Sequence, residues 1–296
     1  MSGYERLCAF DGVQLKSQPD PDADTSPDRR PRKSLGQHFL NSGRVVNRMI
    51  ETLGVGPADT VVEIGPGRGA LTHDLAAACG RLVLIEKDQR FAAEHARRFQ
   101  DDQRVQVHEA DATVFDVADV SPAGAGIKVI GNLPYNAGCP ILFNLLRRRD
   151  RICTMVLMFQ REVAQRLCAR PGDRNHGAVS MLLSSMAGAR LLFDVSPGKF
   201  IPPPKVWSSV ILVQPGLADP VAMEVADDPA FSTFVHALFA QPRKTVLNSL
   251  SDGLATTGRE ILAPALAEAG IDPTIRPSHL NLAQAFALYS LLNRRQ

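Results

Sequence analysis

The sequence predicts an α/β protein, a parallel sheet with helices on both faces, followed by a small all-helical domain. Three observations carry this prediction. From Thr60 onward short apolar runs alternate with helical patterns in a β-loop-α-β-α-β series, which implies parallel strands joined by crossover helices. A glycine-rich turn, Gly65-Pro66-Gly67-Arg68-Gly69, stands where the first of those strands passes into a helix. From Gly216 the strands cease and apolar stripes at helical spacing take over.

Bulk properties narrow the class. A chain of 296 residues can bury a substantial core and is long enough for two domains. Its 45% apolar and 22% charged content are ordinary for a globular protein, and no apolar run approaches the roughly 18 residues that span a bilayer. The cysteines (Cys8, Cys79, Cys139, Cys153, Cys168) are odd in number and lack C-x-x-C spacing. That argues for a reducing, cytoplasmic setting and against a metal site. The formal charge of +2 is uneven: residues 1–28 hold six acids against Arg6 and Lys16, a net of −4, which leaves +6 on the rest. That excess permits a polyanionic partner.

In chain order, residues 1–28 read as a disordered tail by composition, or as a start codon assigned too far upstream. Arg29-Arg30-Pro31-Arg32-Lys33 then sets four cations directly before Ser34-Leu35-Gly36-Gln37-His38-Phe39-Leu40-Asn41. The pattern predicts a helix from Val45 to Leu53 and a strand from Thr60 to Ile64. After the glycine turn it predicts a helix to Ala78, a strand from Arg81 to Ile85, a helix from Gln89 to Gln100 and a strand from Val105 to His108. The apolar run Ile127–Ile130 is the fourth strand and ends in Asn132-Leu133-Pro134-Tyr135. A helix from Pro140 to Arg149, a strand from Cys153 to Phe159 and helices at 161–169 and 178–186 follow. Leu191–Val195 and Ser209–Val213 resemble two strands joined by a loop. The α/β domain therefore spans 29–215, and helices predicted at 231–240, 244–250, 260–269 and 282–293 form the second domain, 216–296. Asn281 with Gln284 fits a capping box for the last of them.

The candidate chemistry lies at the carboxyl ends of the strands, where ligands bind in open α/β sheets. The glycine turn lets backbone approach a ligand and presents the free N–H groups of a helix start; a plain tight turn is the alternative. Glu86 ends the second strand 21 residues after Gly65, where a carboxylate can accept both hydroxyls of a ribose. Asp111 follows the third strand and could accept an adenine amine. Asn132-Leu133-Pro134-Tyr135 is suited to gripping a planar exocyclic amine. The Asn132 oxygen and a backbone carbonyl each accept one N–H, and the Tyr135 ring lies on the base. Any one acid is more often a surface carboxylate; four such positions in register are harder to dismiss.

The order Gln37-His38-Phe39-Leu40, Glu63-Ile64-Gly65-Pro66-Gly67-Arg68-Gly69, Ile85-Glu86, Asp111-Ala112, Asn132-Leu133-Pro134-Tyr135 resembles the rRNA adenine N6-dimethyltransferases. Met158–Ala164, Phe200-Ile201-Pro202-Pro203-Pro204-Lys205-Val206 and Phe239–Lys244 are similar to the small-subunit, bacterial type A branch; the likeness spans about residues 32–296. It implies a class I (Rossmann-like) methyltransferase sheet and S-adenosylmethionine as methyl donor. It further implies cofactor contacts from His38, Leu40, Gly65, Gly67, Glu86, Asp111 and Asn132, a catalytic loop Asn132-Leu133-Pro134-Tyr135, and stacking of Phe200 on the target base. The implied product is N6,N6-dimethyladenosine in small-subunit rRNA, made by a cytoplasmic monomer on a pre-ribosomal particle. Two departures stand out: Cys139 where the family usually has Ser or Thr, and Pro242 in place of an arginine.

Arg32, Lys33, Arg147, Arg148, Lys205, Arg243 and Lys244 are the candidate phosphate contacts, although basic helix ends also suit the helix dipole. His73, His95 and His108 read as ordinary helix or strand residues; Trp207, after the proline loop, could be an RNA contact, with packing the favoured reading. The competing functions are an adenine-N6 methyltransferase of large-subunit rRNA or DNA, and a ribosome-assembly factor that keeps the fold without turnover. The proline loop and helical tail argue against the first, and the intact glycine turn, Glu86 and Asn132–Tyr135 against the second.

Overall fold

The computed structural model describes residues 37–120, 126–217, 225–254 and 258–294. The acidic tail 1–28, Arg32 and Lys33 lie outside them. Beginning from the amino end, strand β1 (Phe39–Leu40) and helix α1 (Gly43–Leu53) precede the strand–helix alternation β2 (Thr60–Ile64), α2 (Thr72–Ala78), β3 (Arg81–Glu86), α3 (Gln89–Arg98) and β4 (Val105–Glu109). Strand β5 (Ile127–Asn132), α4 (Gly138–Leu146), β6 (Ile152–Gln160), α5 (Arg161–Leu167), α6 (Ala178–Met186), β7 (Gly188–Val195), β8 (Phe200–Ile201) and β9 (Ser208–Gln214) complete this part.

Seven strands form one sheet in the order β4-β3-β2-β5-β6-β9-β7. The first five are parallel, and β9 runs antiparallel between β6 and β7. The apolar runs explain why: a parallel strand covered on both faces has no polar side. Alternate residues sort to the two faces. Val62, Ile64, Val83, Ile85, Met155 and Leu157 pack with α4 and α5 on one. Val61, Leu82, Leu84, Val156 and Met158 pack with α1 and α2 on the other.

The small strands β1 and β8 pair antiparallel, Phe39 with Ile201 and Leu40 with Phe200. This ties the amino-terminal segment to the loop between β7 and β9, and the sequence held no sign of it because the two lie so far apart in the chain. Helix α4 begins at Gly138, two residues before its expected start, and ends at Leu146. Pro140 sits in its first turn, where a missing N–H is tolerated.

Beyond residue 225 the described structure is helical: α7 (Pro229–Phe239), α8 (Val246–Gly253), α9 (Arg259–Glu268) and α10 (Leu282–Asn293). Asp228, Thr245 and Asn281 cap α7, α8 and α10 through their side chains, and Asn281 and Gln284 form the expected reciprocal box. These helices share a core of their own, in which Phe231, Phe234 and Tyr289 meet ring to ring. Met181 of α6 belongs to that core as well, so α6 is packed from both sides.

Candidate active site

Strand order reverses between β2 and its neighbours β3 and β5, and the carboxyl ends of these strands frame an open cleft. The first wall is the glycine turn. Gly65 and Gly67 have φ of 64° and 53°, and a Cβ on Gly67 would lie 3.1 Å from the Phe39 ring. Only glycine allows this path at little cost; the Gly65 and Gly69 N–H groups are taken by the Ile85 and Pro66 carbonyls, so the turn is held from within. Phe39 covers the turn, and the Arg68 guanidinium lies over the same ring at 4.6 Å.

Glu86 organises the second wall. Its Oε2 accepts the Gly67 N–H at 2.9 Å and its Oε1 the Asp88 N–H at 2.8 Å. Burial pushes this carboxyl up, and the two backbone donors oppose that. A carboxylate has further lone pairs, so ribose hydroxyls can still be accepted. Asp88 caps α3, takes the Gln37 amide at 2.9 Å and is forked by Arg90, which brings its pKa down to about 2. Gln37 is thereby fastened over the cleft.

Asp111 lines the third wall. Lys87 at 2.7 Å, helped by the Thr113 backbone and hydroxyl, holds it at about 2, fully ionised near neutrality. Its loop is pinned from behind by Asn144, whose amide donates to Ala112 and Phe115.

The catalytic loop closes the cleft. Asn132 Nδ2 donates to the His38 carbonyl at 2.9 Å, which fixes the amide plane and leaves Oδ1 without a partner among the described residues. The Leu133 carbonyl is likewise uncommitted there, while Leu133 itself is buried and its N–H bonds Met158. Tyr135 is anchored by its hydroxyl to Ser208 Oγ at 2.8 Å, and the His38 ring lies 5.3 Å from its centroid. His38 Nδ1 in turn meets the Pro202 carbonyl at 2.8 Å. One amino-terminal residue thus joins Asn132, Tyr135 and the proline loop. Gly131 permits the close approach of β5 to β2, since a Cβ there would sit 2.8 Å from the Ile64 carbonyl.

His38, Leu40, Gly65, Gly67, Glu86, Asp111 and Asn132–Tyr135 therefore all line one cleft. Phe200 does not. It is 2% exposed and packs in the core with Leu40, Val195 and Leu212, because its pairing with Leu40 turns the ring inward. In this structure it offers no face to a base. Trp207, expected to be packed, is 47% exposed.

The basic candidates separate too. Arg147 and Arg148 follow the far end of α4, away from the catalytic loop, and Arg148 forms an ion pair with Asp116. Lys244 pairs with Asp252 at 2.6 Å, whereas Lys205 and Arg243 are exposed and carry no ion pair among the described residues.

Two residues of the site escaped the sequence reading. Glu63 lines the cleft fully buried, its Oε2 without a hydrogen-bond partner, and burial raises its pKa to about 8. An acid inside an apolar strand was the available signal. His95, buried in α3, meets the Gly67 carbonyl at 2.9 Å and so braces the glycine turn; nothing in its spacing announced that.

This strand order, with the cleft at the switch point, defines a Rossmann-like methyltransferase fold of class I. Two solved structures share it: a dimethyladenosine transferase from Plasmodium falciparum (TM-score 0.72, 23% identity, 87% of this chain and 98% of that one) and the 23S rRNA methyltransferase ErmE (0.63, 23%, 86% and 99%). The sequence is 38% identical to the ribosomal RNA small subunit methyltransferase A of Acinetobacter baylyi over 87% of this chain and 90% of that one. It is 40% identical to the protein of the same name from Methylococcus capsulatus, over 89% and 98%. The ribosomal RNA adenine dimethylase profile matches residues 29–293, and the chain belongs to that family.

Proposed function

We infer that the protein transfers methyl groups from S-adenosylmethionine to N6 of adenosines in small-subunit rRNA, two to each base. The observation that carries the chemistry is the pair of uncommitted acceptors, Asn132 Oδ1 and the Leu133 carbonyl, at the mouth of a cleft framed by Gly67, Glu86 and Asp111. The small-subunit substrate rests on the relatives of that name, which are matched over nearly their whole length.

The cleft fits the cofactor. It offers a glycine turn packed against Phe39, a carboxylate at Glu86 for ribose hydroxyls, Asp111 for an adenine amine, and the orphaned buried oxygen of Glu63 for an N–H donor. When bound, S-adenosylmethionine supplies an electrophilic methyl group. The chain's part is positioning. An adenine amine is a weak nucleophile because its lone pair is delocalised into the ring. Accepting its N–H groups on Asn132 Oδ1 and the Leu133 carbonyl favours a pyramidal nitrogen with the lone pair exposed. No strong general base is needed, since the N–H becomes acidic once the nitrogen is alkylated. Orientation and fixed dipoles then supply most of the rate. The target base must leave its stack, and the Tyr135 ring, anchored through Ser208, is the surface that receives it.

The helical domain, 216–296, binds the RNA or the pre-ribosomal particle, with Lys205 and Arg243 as phosphate contacts, and the protein works as a cytoplasmic monomer. Among the described residues no helix is long and apolar enough to cross a membrane, and no group of His, Cys, Asp or Glu is placed to hold a metal ion.

The test is methyl transfer by the purified protein to small subunits from cells lacking this protein. Two methyl groups per target adenosine, located by mass spectrometry, are expected. Transfer to large-subunit rRNA alone would overturn the substrate, and no transfer to any rRNA would leave an assembly factor.

A further inference from the structure

The loop Phe200–Ser208 carries an apolar patch that the chemistry leaves unused. Among the described residues only six large hydrophobic side chains are strongly exposed, and Ile201, Val206 and Trp207 of this loop are three of them. Scattered apolar residues on a surface are ordinary; three in one loop, one of them a tryptophan, are a local feature.

The patch has a rigid base. The Trp207 carbonyl accepts the Arg161 N–H at 2.9 Å, and buried Ser208 pairs with Gln160 and Val195 on either side. Ser208 is also the residue that anchors the Tyr135 hydroxyl. At the other end of the loop, Ile201 pairs with Phe39, and Pro202 receives His38. The exposed indole therefore stands one residue along the chain from the anchor of the catalytic ring.

Charge around the patch is mostly positive. Lys199 and Lys205 are exposed and carry no ion pair among the described residues, and Arg48 of α1 lies over Phe193 at 3.9 Å. Of the nearby acids, Asp194 is already paired with Arg161 at 3.3 Å, and Glu162 is exposed. An aromatic plane rimmed by cations suits a nucleobase and its phosphates.

We propose that Trp207, supported by Ile201 and Val206, is a stacking platform for an unpaired nucleotide flanking the target adenosine, with the adjoining phosphates on Lys199 and Lys205. The proposal rests on the methyltransferase reading above and extends it to how the RNA is held open. Extruding one base leaves its neighbour unstacked, and a second aromatic surface beside the anchor of Tyr135 offsets that loss.

Trp207 is the only tryptophan in the chain, so its fluorescence reports this site alone. The full-length protein is titrated with under-methylated small-subunit rRNA, both deproteinised and as whole subunits. Quenching and protection from acrylamide are expected with both. Trp207→Ala should raise KM for the subunit about 5- to 150-fold, the range for one lost base stack, with kcat and cofactor affinity unchanged. Trp207→Phe should recover most of the loss. Saturating RNA binding without a change in fluorescence, or an unchanged KM in Trp207→Ala, overturns the platform. So does weakened binding to whole subunits but not to deproteinised RNA, which would make the patch a contact for ribosomal protein. Quenching by RNA in a protein that transfers no methyl group would support the platform while overturning the activity.

Discussion

On the cofactor side of the cleft, polar atoms are buried and tied to backbone: Glu86 holds Gly67 and Asp88, Asn132 holds His38, and His95 meets Gly67. Across the catalytic loop, the segment from Lys199 to Trp207 presents apolar side chains and cations to solvent. The difference follows from what each side must bind. A small ligand of fixed shape rewards groups that are already oriented before it arrives, whereas a long polyanion rewards charge and stacking surface spread over a wide face. A substitution on the first side should therefore act on chemistry or on folding, and one on the second side on RNA affinity and its salt dependence.

The strongest test of that contrast is Asn132→Ala. Removing one of two acceptors for the amine should lower kcat by about 10²- to 10³-fold, by analogy with the loss of one preorganised polar group. Thermal denaturation should show the fold retained. Single-turnover transfer at wild-type rate would remove Asn132 from the mechanism.

Glu86→Ala should act on both binding and stability. It leaves the Gly67 and Asp88 N–H groups without their acceptor, at a cost of roughly 1–3 kcal/mol for each that stays buried and unpaired. Calorimetry should show cofactor affinity falling with the melting temperature, and Glu86→Gln should recover part of the stability. A loss of affinity with no loss of stability would mean that the glycine turn does not depend on this carboxylate.

Glu63 sets a pH dependence. Its folded pKa of about 8 lies above the ordinary carboxyl value of 4.5, so between those values the folded protein holds a proton that the unfolded chain has released. Its contribution to stability is complete below about 4.5 and is lost as pH rises towards 8. The slope is at most about 1.4 kcal/mol per pH unit. Urea denaturation of the ligand-free protein should show this decline, and Glu63→Gln should flatten it. Identical pH profiles for the two proteins would mean that Glu63 is ionised throughout.

The smallest effect separates two cations that look alike in sequence. Lys205→Ala should reduce the slope of log affinity for RNA against log salt by about one. Arg148→Ala should leave that slope unchanged, because its guanidinium is engaged by Asp116 at the far end of α4. Equal slopes for the two variants would place the RNA path along α4 as well.

Much of the cofactor side was legible from residues alone. Period and punctuation located β2, β3, β4 and β5, and the residues at their carboxyl ends converge because parallel strands align those ends. Glu86, Asp111 and Asn132 needed nothing more to be read as neighbours. The substrate side was less legible. Phe200 and Trp207 sit in one loop, yet the first is buried and the second exposed, the reverse of what was expected of each. The pairing of β8 with β1 decides this, and it joins segments more than 150 residues apart.

The sequence by itself determined the strand–helix alternation, the glycine turn and the set of polar residues at the strand ends, since each is written in local periodicity and in backbone conformations that few residues adopt. Only the tertiary structure decided which groups are already engaged and which remain free for a ligand. Asp116 occupies Arg148, His38 orients Asn132, burial pushes the Glu63 carboxyl up, and Trp207 stays open to solvent. Those outcomes depend on distance and burial between remote segments, and no spacing along the chain encodes either.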